Sequence, residues 1–385
     1  MIQVVKIIFW FSILLVVSSY FLYPLAIWIL GKIKPFEIAK SSYSYIPFVS
    51  IIIPAYNEEK NIEKKIRNTL KLEYPPDKTE ILIGSDGSTD KTSTIVSALA
   101  DQKRIRFFDF KENRGKTAVQ NDLVNEARGE ILLFTDAASF LESGSLMNII
   151  RNFADSRVGC VGGKMFFLNT GANLTTESQG LYWKYESKIR ELESAIGSLI
   201  GVDGPLYAVR RINYIPLPHH IISDFITPLL VLDQGKQVIL EPEAVVYEEP
   251  TTKSGQELKT RRRITLRGLI GLSEYPRLLN FSKHPLLSLQ IFFHKLLRWF
   301  VGPLIMVNFM SSCVLAANGL YMPMPFLYLL FASLAAAGII FEKYGKKSRI
   351  LTIPYYFILV NLAATLGLFD FLMKKQAITW ETVRD

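Results

Sequence analysis

The chain has 385 residues, 49% of them hydrophobic, with 44 Lys and Arg against 35 Asp and Glu for a formal charge of +9. This length admits two or three domains. The basic excess does not call for nucleic acid, since membrane-facing loops and a phosphate-bearing substrate account for it. Cys160 and Cys313 are the only cysteines; they fit a reduced compartment and suggest neither a disulfide nor a zinc site.

Residues 7–30 carry no charge, a stretch long enough to cross a bilayer. A signal peptide has a shorter apolar part that ends in small residues. Here the run continues to Trp28-Ile29-Leu30 and then meets Lys32 and Lys34, which predicts an uncleaved transmembrane helix.

Residues 47–250 alternate between short apolar runs and amphipathic stretches. Strand 48–53 ends at Pro54, and 58–70 places Ile62, Ile66 and Leu70 at helical spacing. Strand 80–84 stops at Asp86-Gly87-Ser88, and Asp90 is placed to cap the helix after it. Strand 105–108, helix 116–127 and strand 131–135 complete the series. Such alternation predicts an α/β unit with a mainly parallel sheet and right-handed crossovers. Ligands of these sheets sit beyond the carboxyl ends of the strands, where Asn57-Glu58, Asp86 and Asp136 all fall.

Each residue also has an ordinary structural reading. The stretch 54–58 can simply start a helix, the DGSTD of 86–90 is a turn and a cap, and Asp136 can cap a helix near Ser145. Their coincidence at one rim favours function. Asn113-Arg114-Gly115-Lys116-Thr117 lacks the earlier glycine of a Walker A loop, because Phe110 stands in its place. It is a doubly cationic, glycine-flexed helix start, suited to a diphosphate or to a solvated cap.

The C-terminal part is apolar again. Residues 285–298 read as a helix at the membrane surface, with His294 either meeting an acceptor phosphate or lying at headgroup level. Residues 299–341 are uncharged but broken by Asn318-Gly319 and Pro323-Met324-Pro325, which predicts two spans and a turn. Residues 350–369 predict a further span. Lys343, Lys346, Lys347 and Arg349 lie between the last two, so the positive-inside rule puts that loop and 32–298 in the cytoplasm, both termini outside. The spans hold almost no internal charge to line a transport path.

The motifs PAYNEE (54–59), DGSTD (86–90), NRGKTAVQN (113–121), TDAA (135–138), GVDGPLYAVRR (201–211), SDFITPL (223–229) and GKQVILEPEAVVYEEP (235–250) resemble glycosyltransferase family 2 in order and spacing. HKLLRWFVGP (294–303) resembles the entry to the membrane bundle of bacterial members, so the likeness runs over about 47–303. It implies a GT-A fold, a nucleotide-sugar donor and inversion at the anomeric carbon. The organisation expected is an N-terminal transmembrane helix (1–31), a GT-A catalytic domain (47–268), interfacial helices (269–298) and a C-terminal transmembrane bundle (299–373).

The same resemblance assigns roles. Pro54, Tyr56, Asn57 and Glu58 line the nucleoside pocket. Asp86 reads the base edge or ribose, and the N–H of uracil favours a UDP-linked donor. Arg114 and Lys116 face the nucleotide or its phosphates, and Asp136 holds a divalent metal, Mg2+ or Mn2+. Asp224 is the catalytic base, with the cap of the helix through Leu229 as its ordinary reading. Ala138 stands where members often carry a second acid; magnesium commonly uses one or two protein carboxylates and takes the rest from phosphates and water.

The Gln-x-x-Arg-Trp motif of processive synthases aligns with Thr260–Ile264, where only the arginine is kept. Arg261, Arg262, Arg263 and Arg267 either hold the diphosphate or a lipid-linked phosphate, or form a basic helix on anionic lipid. The function expected is transfer of a hexose or N-acetylhexosamine from a UDP-sugar to a glycan or lipid-linked acceptor at the inner membrane, in cell-surface polysaccharide synthesis and beside partners of that pathway. Alternatives are a single transfer to polyprenyl phosphate or diacylglycerol, and a nucleotide-sensing or scaffold subunit that kept the fold without turnover.

Overall fold

The computed structural model describes residues 1–38, 41–100, 104–169, 171, 173–317, 319–346 and 348–375. Asn318 and Lys347, used above for a turn and for the charge of a loop, lie outside them. The chain forms two compact units built from separated stretches. One comprises Met1–Ile29, Asn169–Lys188 and Pro250–Lys375; the other comprises Leu30–Leu168 and Ile189–Glu249.

The chain opens with α1 (Ile2–Val17) and α2 (Tyr23–Ile33), joined through π-helical Ser18–Leu22. Then come β1 (Val49–Ala55), α3 (Ile62–Leu70), β2 (Thr79–Asp86), α4 (Thr92–Leu99), β3 (Ile105–Phe110), α5 (Lys116–Glu126) and β4 (Ile131–Phe134). β5 (Ser139–Leu141), α6 (Ser145–Arg151), β6 (Val158–Phe167), α7 (Leu174–Ser194), β7 (Tyr207–Arg210), α8 (Ser223–Asp233) and β8 (Gln237–Glu248) follow. α9 (Ser254–Glu274), α10 (Pro285–Gln290), α11 (Leu297–Trp299), α12 (Val301–Leu315), α13 (Pro323–Lys343) and α14 (Arg349–Leu372) complete it.

In the α/β unit the sheet order is β3-β2-β1-β4-β7-β6-β8-β5. β1 is buried along its whole length, as a central parallel strand covered on both faces must be. β1 pairs in parallel with β2 and β4, and β2 with β3. Beyond β4 the pattern changes: β7 runs antiparallel to β4 and β6, β5 antiparallel to β8, and β6 parallel to β8. The continuous parallel run is thus β3-β2-β1-β4, and the second half of the sheet is mixed, with only β6 and β8 parallel there.

α5 lies close on this sheet because Gly84 has no side chain: a Cβ there would stand 2.5 Å from Val119 Cγ1. Val119 and Leu123 pack with Ile52, Leu82, Leu132 and Phe134 in one buried cluster, and Phe134 stacks on Tyr207 at 4.7 Å. α3 starts four residues later than the expected 58. Asn57 turns to φ 52°, and the Glu58 carbonyl accepts the Asn61 and Ile62 amides at 2.9 and 2.8 Å.

In the helical unit, α9 packs on α14 where Gly367 lets the Arg262 carbonyl approach; a Cβ would be 2.7 Å away. Among the described residues three helical stretches are long and apolar enough to cross a membrane: Ile2–Ile33, Pro323–Lys343 and Arg349–Leu372. The span expected just after residue 299 differs. α12 has 15 residues, or about 22 Å, short of a hydrocarbon core of about 30 Å. It meets Pro285–Trp299 at a bend of 62°, and the spans number four only if this pair counts as one. The break at Phe300 has a local cause: Pro303 lacks an N–H, and its ring collides with the carbonyl four residues back.

Candidate active site

The carboxyl ends of β1, β2 and β4 lie side by side, and each delivers part of the site. After β1, the backbone of 57–59 is zipped to the turn after β2. The Asn57 amide donates to Ser88 Oγ at 3.1 Å, and Asn57 Oδ1 accepts the Thr89 amide at 2.8 Å. The Glu58 amide donates to Thr92 Oγ1 at 2.8 Å and the Glu59 amide to Asp90 Oδ2 at 3.0 Å. Asp90 also accepts the Thr92 amide at 2.9 Å, although Lys91 and not Asp90 holds the cap position of α4. Burial pushes the Asp90 carboxyl up, but hydrogen bonds from Thr92 and Glu59 outweigh it and hold the group below its ordinary value. Pro54 ends within buried β1, while Tyr56, Asn57 and Glu58 are half-buried beyond it.

Asp86 is fully buried at the tip of β2. Its two oxygens accept the Arg114 and Gly115 amides at 3.0 and 2.8 Å. Burial raises its carboxyl above the ordinary value, against the pull of those two amides. Asp86 therefore anchors the phosphate-type loop. Gly115 takes φ 91°, a left-handed-side conformation that glycine reaches without strain. The Arg114 guanidinium lies over the Phe110 ring at 4.6 Å and bonds Asp122 at 2.5 Å.

Lys116 opens α5 and its ammonium bonds Asp136 Oδ1 at the tip of β4. Asp224 lies in the first turn of α8, one residue inside it, and Ile222 precedes the helix. The segment leading to it is braced by α5. Thr117 Oγ1 donates to the Ile221 carbonyl, Ser223 Oγ to Gln120 Oε1, and Asn121 Nδ2 to the Leu217 carbonyl, each at 2.7 Å. One helix thus carries Lys116 and positions the approach to Asp224.

These groups meet at Gly204. A Cβ on Gly204 would stand 2.6 Å from Asp224 Oδ2 and 3.3 Å from Lys116 Nζ. Asp136, Lys116 and Asp224 therefore share one place, although they come from β4, α5 and α8. Asp136 does not cap the helix at Ser145, where Gly144 precedes the first turn.

No group of three or more His, Cys, Asp and Glu side chains suited to a metal exists among the described residues. The position in front of Asp136 nevertheless accepts a cation, since an ammonium already stands on its carboxylate. A hard divalent ion with one protein carboxylate and diphosphate oxygens fits that donor set.

Arg261, Arg262 and Arg263 belong to α9, in the helical unit. Arg261 Nε donates to Glu257 Oε1 at 2.8 Å and Nη2 to Tyr356 Oη at 3.2 Å, with its guanidinium over Tyr182 at 4.8 Å. Arg262 pairs with Asp370. Neither expectation for His294 holds: it is buried, with Nε2 2.9 Å from Glu186 Oε1. Lys295 and Arg298 reach the same carboxylate at 3.1 and 2.8 Å.

Two residues of the α/β site escaped the sequence reading. Gly204 sat unremarked inside GVDGPLYAVRR. Lys65 is fully buried on the face of α3 that also carries Ile62 and Ile66; a charge at an apolar helical position was the available signal.

Residues 50–213 match the model of glycosyl transferase family 2, a segment that ends before Asp224. Over 181 residues the chain is 30% identical to beta-monoglucosyldiacylglycerol synthase of Trichormus variabilis, covering 46% of this chain and 39% of that protein. Over 188 residues it is 27% identical to poly-beta-1,6-N-acetyl-D-glucosamine synthase of Staphylococcus epidermidis, covering 46% and 45%. The chain thus spans less than half the length of these curated relatives. The mannosyltransferase PcManGT from Pyrobaculum calidifontis, solved with GDP-Man and Mn2+, superposes with a TM-score of 0.74 at 22% identity, over 97% of this chain and 100% of that one. Residues 50–213 of this chain are accordingly similar to glycosyl transferase family 2, and the fold is GT-A.

Proposed function

We propose that this chain is a membrane-anchored, inverting glycosyltransferase that moves a hexose or N-acetylhexosamine from a UDP-sugar to a glycan or lipid-linked acceptor at the inner face of the cell membrane. The observation that carries this reading is the convergence of Asp136, Lys116 and Asp224 around Gly204. The acceptor oxygen attacks the anomeric carbon while Asp224 takes its proton. The bond from that carbon to the diphosphate oxygen breaks, and the electron pair leaves with UDP. Lys116 and the amides at the start of α5 stabilise the charge collecting on the diphosphate. A divalent cation held by Asp136 neutralises the same oxygens when bound. Attack opposite the leaving group inverts the centre.

The named activities of the two relatives support both acceptor types. A polysaccharide product places the chain beside other components of a cell-surface pathway. A single transfer to polyprenyl phosphate or diacylglycerol gives one discrete glycolipid instead of a ladder of oligomers. The apolar helices support anchoring, and the Lys-rich stretch before α14 supports a cytoplasmic catalytic unit.

The test is a panel of labelled UDP-sugars on membranes carrying the full chain. One donor is expected to be turned over; Asp224→Asn stops turnover and keeps UDP binding, and Asp136→Ala weakens metal-dependent binding. Binding of UDP without release from any donor overturns the transferase reading in favour of a nucleotide-sensing subunit.

A further inference from the structure

Lys65 is a buried cation that the proposed reaction does not use. It lies on α3, is 0% exposed, and its ammonium donates to Thr135 Oγ1 at 2.7 Å and to the Ser139 carbonyl at 2.8 Å. Both acceptors are neutral. An ammonium withdrawn from water with neutral acceptors, and only the nearby Asp136 carboxylate to attract it, carries a desolvation cost that an aliphatic side chain avoids. Its neighbours on the same buried face are Ile62 and Ile66, so packing alone does not require a charge here.

The two bonds end on either side of Asp136. Thr135 immediately precedes it, and Ser139 follows Ala137 and Ala138. Ser139 also returns to the Asp136 carbonyl, through its amide at 3.3 Å and its hydroxyl at 2.9 Å. The five-residue turn is therefore closed from beneath by one ammonium and from within by one serine. A site with a second acid divides the work of holding a cation between two side chains. Here the position is Ala138, and placement of the cation rests on a single carboxylate.

We propose that Lys65 is a positioning residue for Asp136: by tying Thr135 to Ser139 it holds the lone acid at the strand tip in the geometry that a divalent cation and a nucleoside diphosphate require. Groups that orient a metal ligand without touching the metal commonly govern about 10–100-fold of the affinity. The inference rests on the glycosyltransferase reading and deepens it.

The experiment uses the full chain in detergent, with Mn2+ and UDP or GDP as probes. Nucleotide binding is measured by calorimetry with and without Mn2+, and bound Mn2+ by electron paramagnetic resonance. Lys65→Met is expected to weaken the Mn2+-dependent binding about 10-fold and to leave the Mn2+-free binding and the fold unchanged. Lys65→Gln, which keeps a donor, falls between. Asp136→Ala is the control: if it abolishes the Mn2+ effect while Lys65→Met binds as wild type, the Lys65 proposal is overturned and the site reading stands. If Asp136→Ala changes nothing, the site reading itself fails, and the proposal with it. Should Lys65→Met fail to fold, Thr135→Val decides, since it removes one end of the bridge without altering the charge: weakened Mn2+-dependent binding supports the proposal, and wild-type binding overturns it.

Discussion

Gly204 and Asp224 stand so close that a Cβ on the glycine would lie 2.6 Å from Asp224 Oδ2. Real Cβ atoms do not make such contacts, so the carboxylate must rotate away if residue 204 gains a side chain. Gly204→Ala is therefore expected to fold normally and to lower turnover about 100-fold, the usual consequence of misplacing a catalytic group by about 1 Å. Thermal melting beside an assay of UDP release separates the two effects; a melting loss with full specific activity contradicts the placement of Asp224.

Asp90 ties the loop after β1 to the start of α4 through the Glu59 amide and both donors of Thr92. Replacing it with alanine removes the acceptor of the Glu59 and Thr92 amides and should cost about 1 kcal/mol of stability in denaturant titrations. The same bonds depress its carboxyl below the ordinary 3.8. A depressed acid stabilises the fold above its unfolded pKa, and that contribution disappears as pH falls through the folded value. The deficit of Asp90→Ala should therefore be present at pH 6 and shrink below pH 4.

Burial brings the Lys65 ammonium down to about 7 from 10.5, against the pull of Asp136. For a base shifted down, the unfolded chain binds the extra proton between those two values, so stability rises with pH across that window. The free energy of unfolding of the wild type minus that of Lys65→Met should grow from pH 7 to pH 10, by about 1.4 kcal/mol per pH unit at most. Denaturant titrations at four pH values measure the slope; a flat difference means that burial does not draw the Lys65 ammonium down.

Glu186 gathers His294, Lys295 and Arg298 inside the helical unit. Burial pushes its carboxyl up, but those three partners outweigh it and hold the group well below its ordinary value. Removing one partner of a buried ion pair costs about 3–5 kcal/mol, because the other charge stays in a low-dielectric surrounding. Glu186→Ala should lower the melting temperature of the detergent-solubilised protein by several degrees. A loss limited to acceptor use, with unchanged melting, would instead mark the cluster as part of a binding site.

Much of the rim was legible beforehand because it is a local matter. Asn57, Asp86 and Asp136 each end an apolar run, and a parallel strand delivers its last residue to the ligand edge whatever the rest of the chain does. The roles differ where a partner is distant. Asp86 lies buried under the loop 113–115, whose amides it holds, and nothing in DGSTD announces that. Arg261 and Arg262 look like free cations in a basic run, yet Tyr356 and Asp370 engage them from α14.

The sequence by itself determined the alternation of strands and helices, the acids and glycines at the strand ends, and the long apolar helices. These follow from hydrophobic period, from glycine conformation and from the length of uncharged runs, all of them properties of neighbouring residues. Tertiary structure alone decided that Lys65 lies beneath Asp136, that Gly204 brings Lys116 and Asp224 together, that β7 pairs antiparallel with β4, and that His294 is interior. Each depends on a contact between residues far apart in the chain, and the energy of a buried charge or a missing methyl group is set by what folding brings against it.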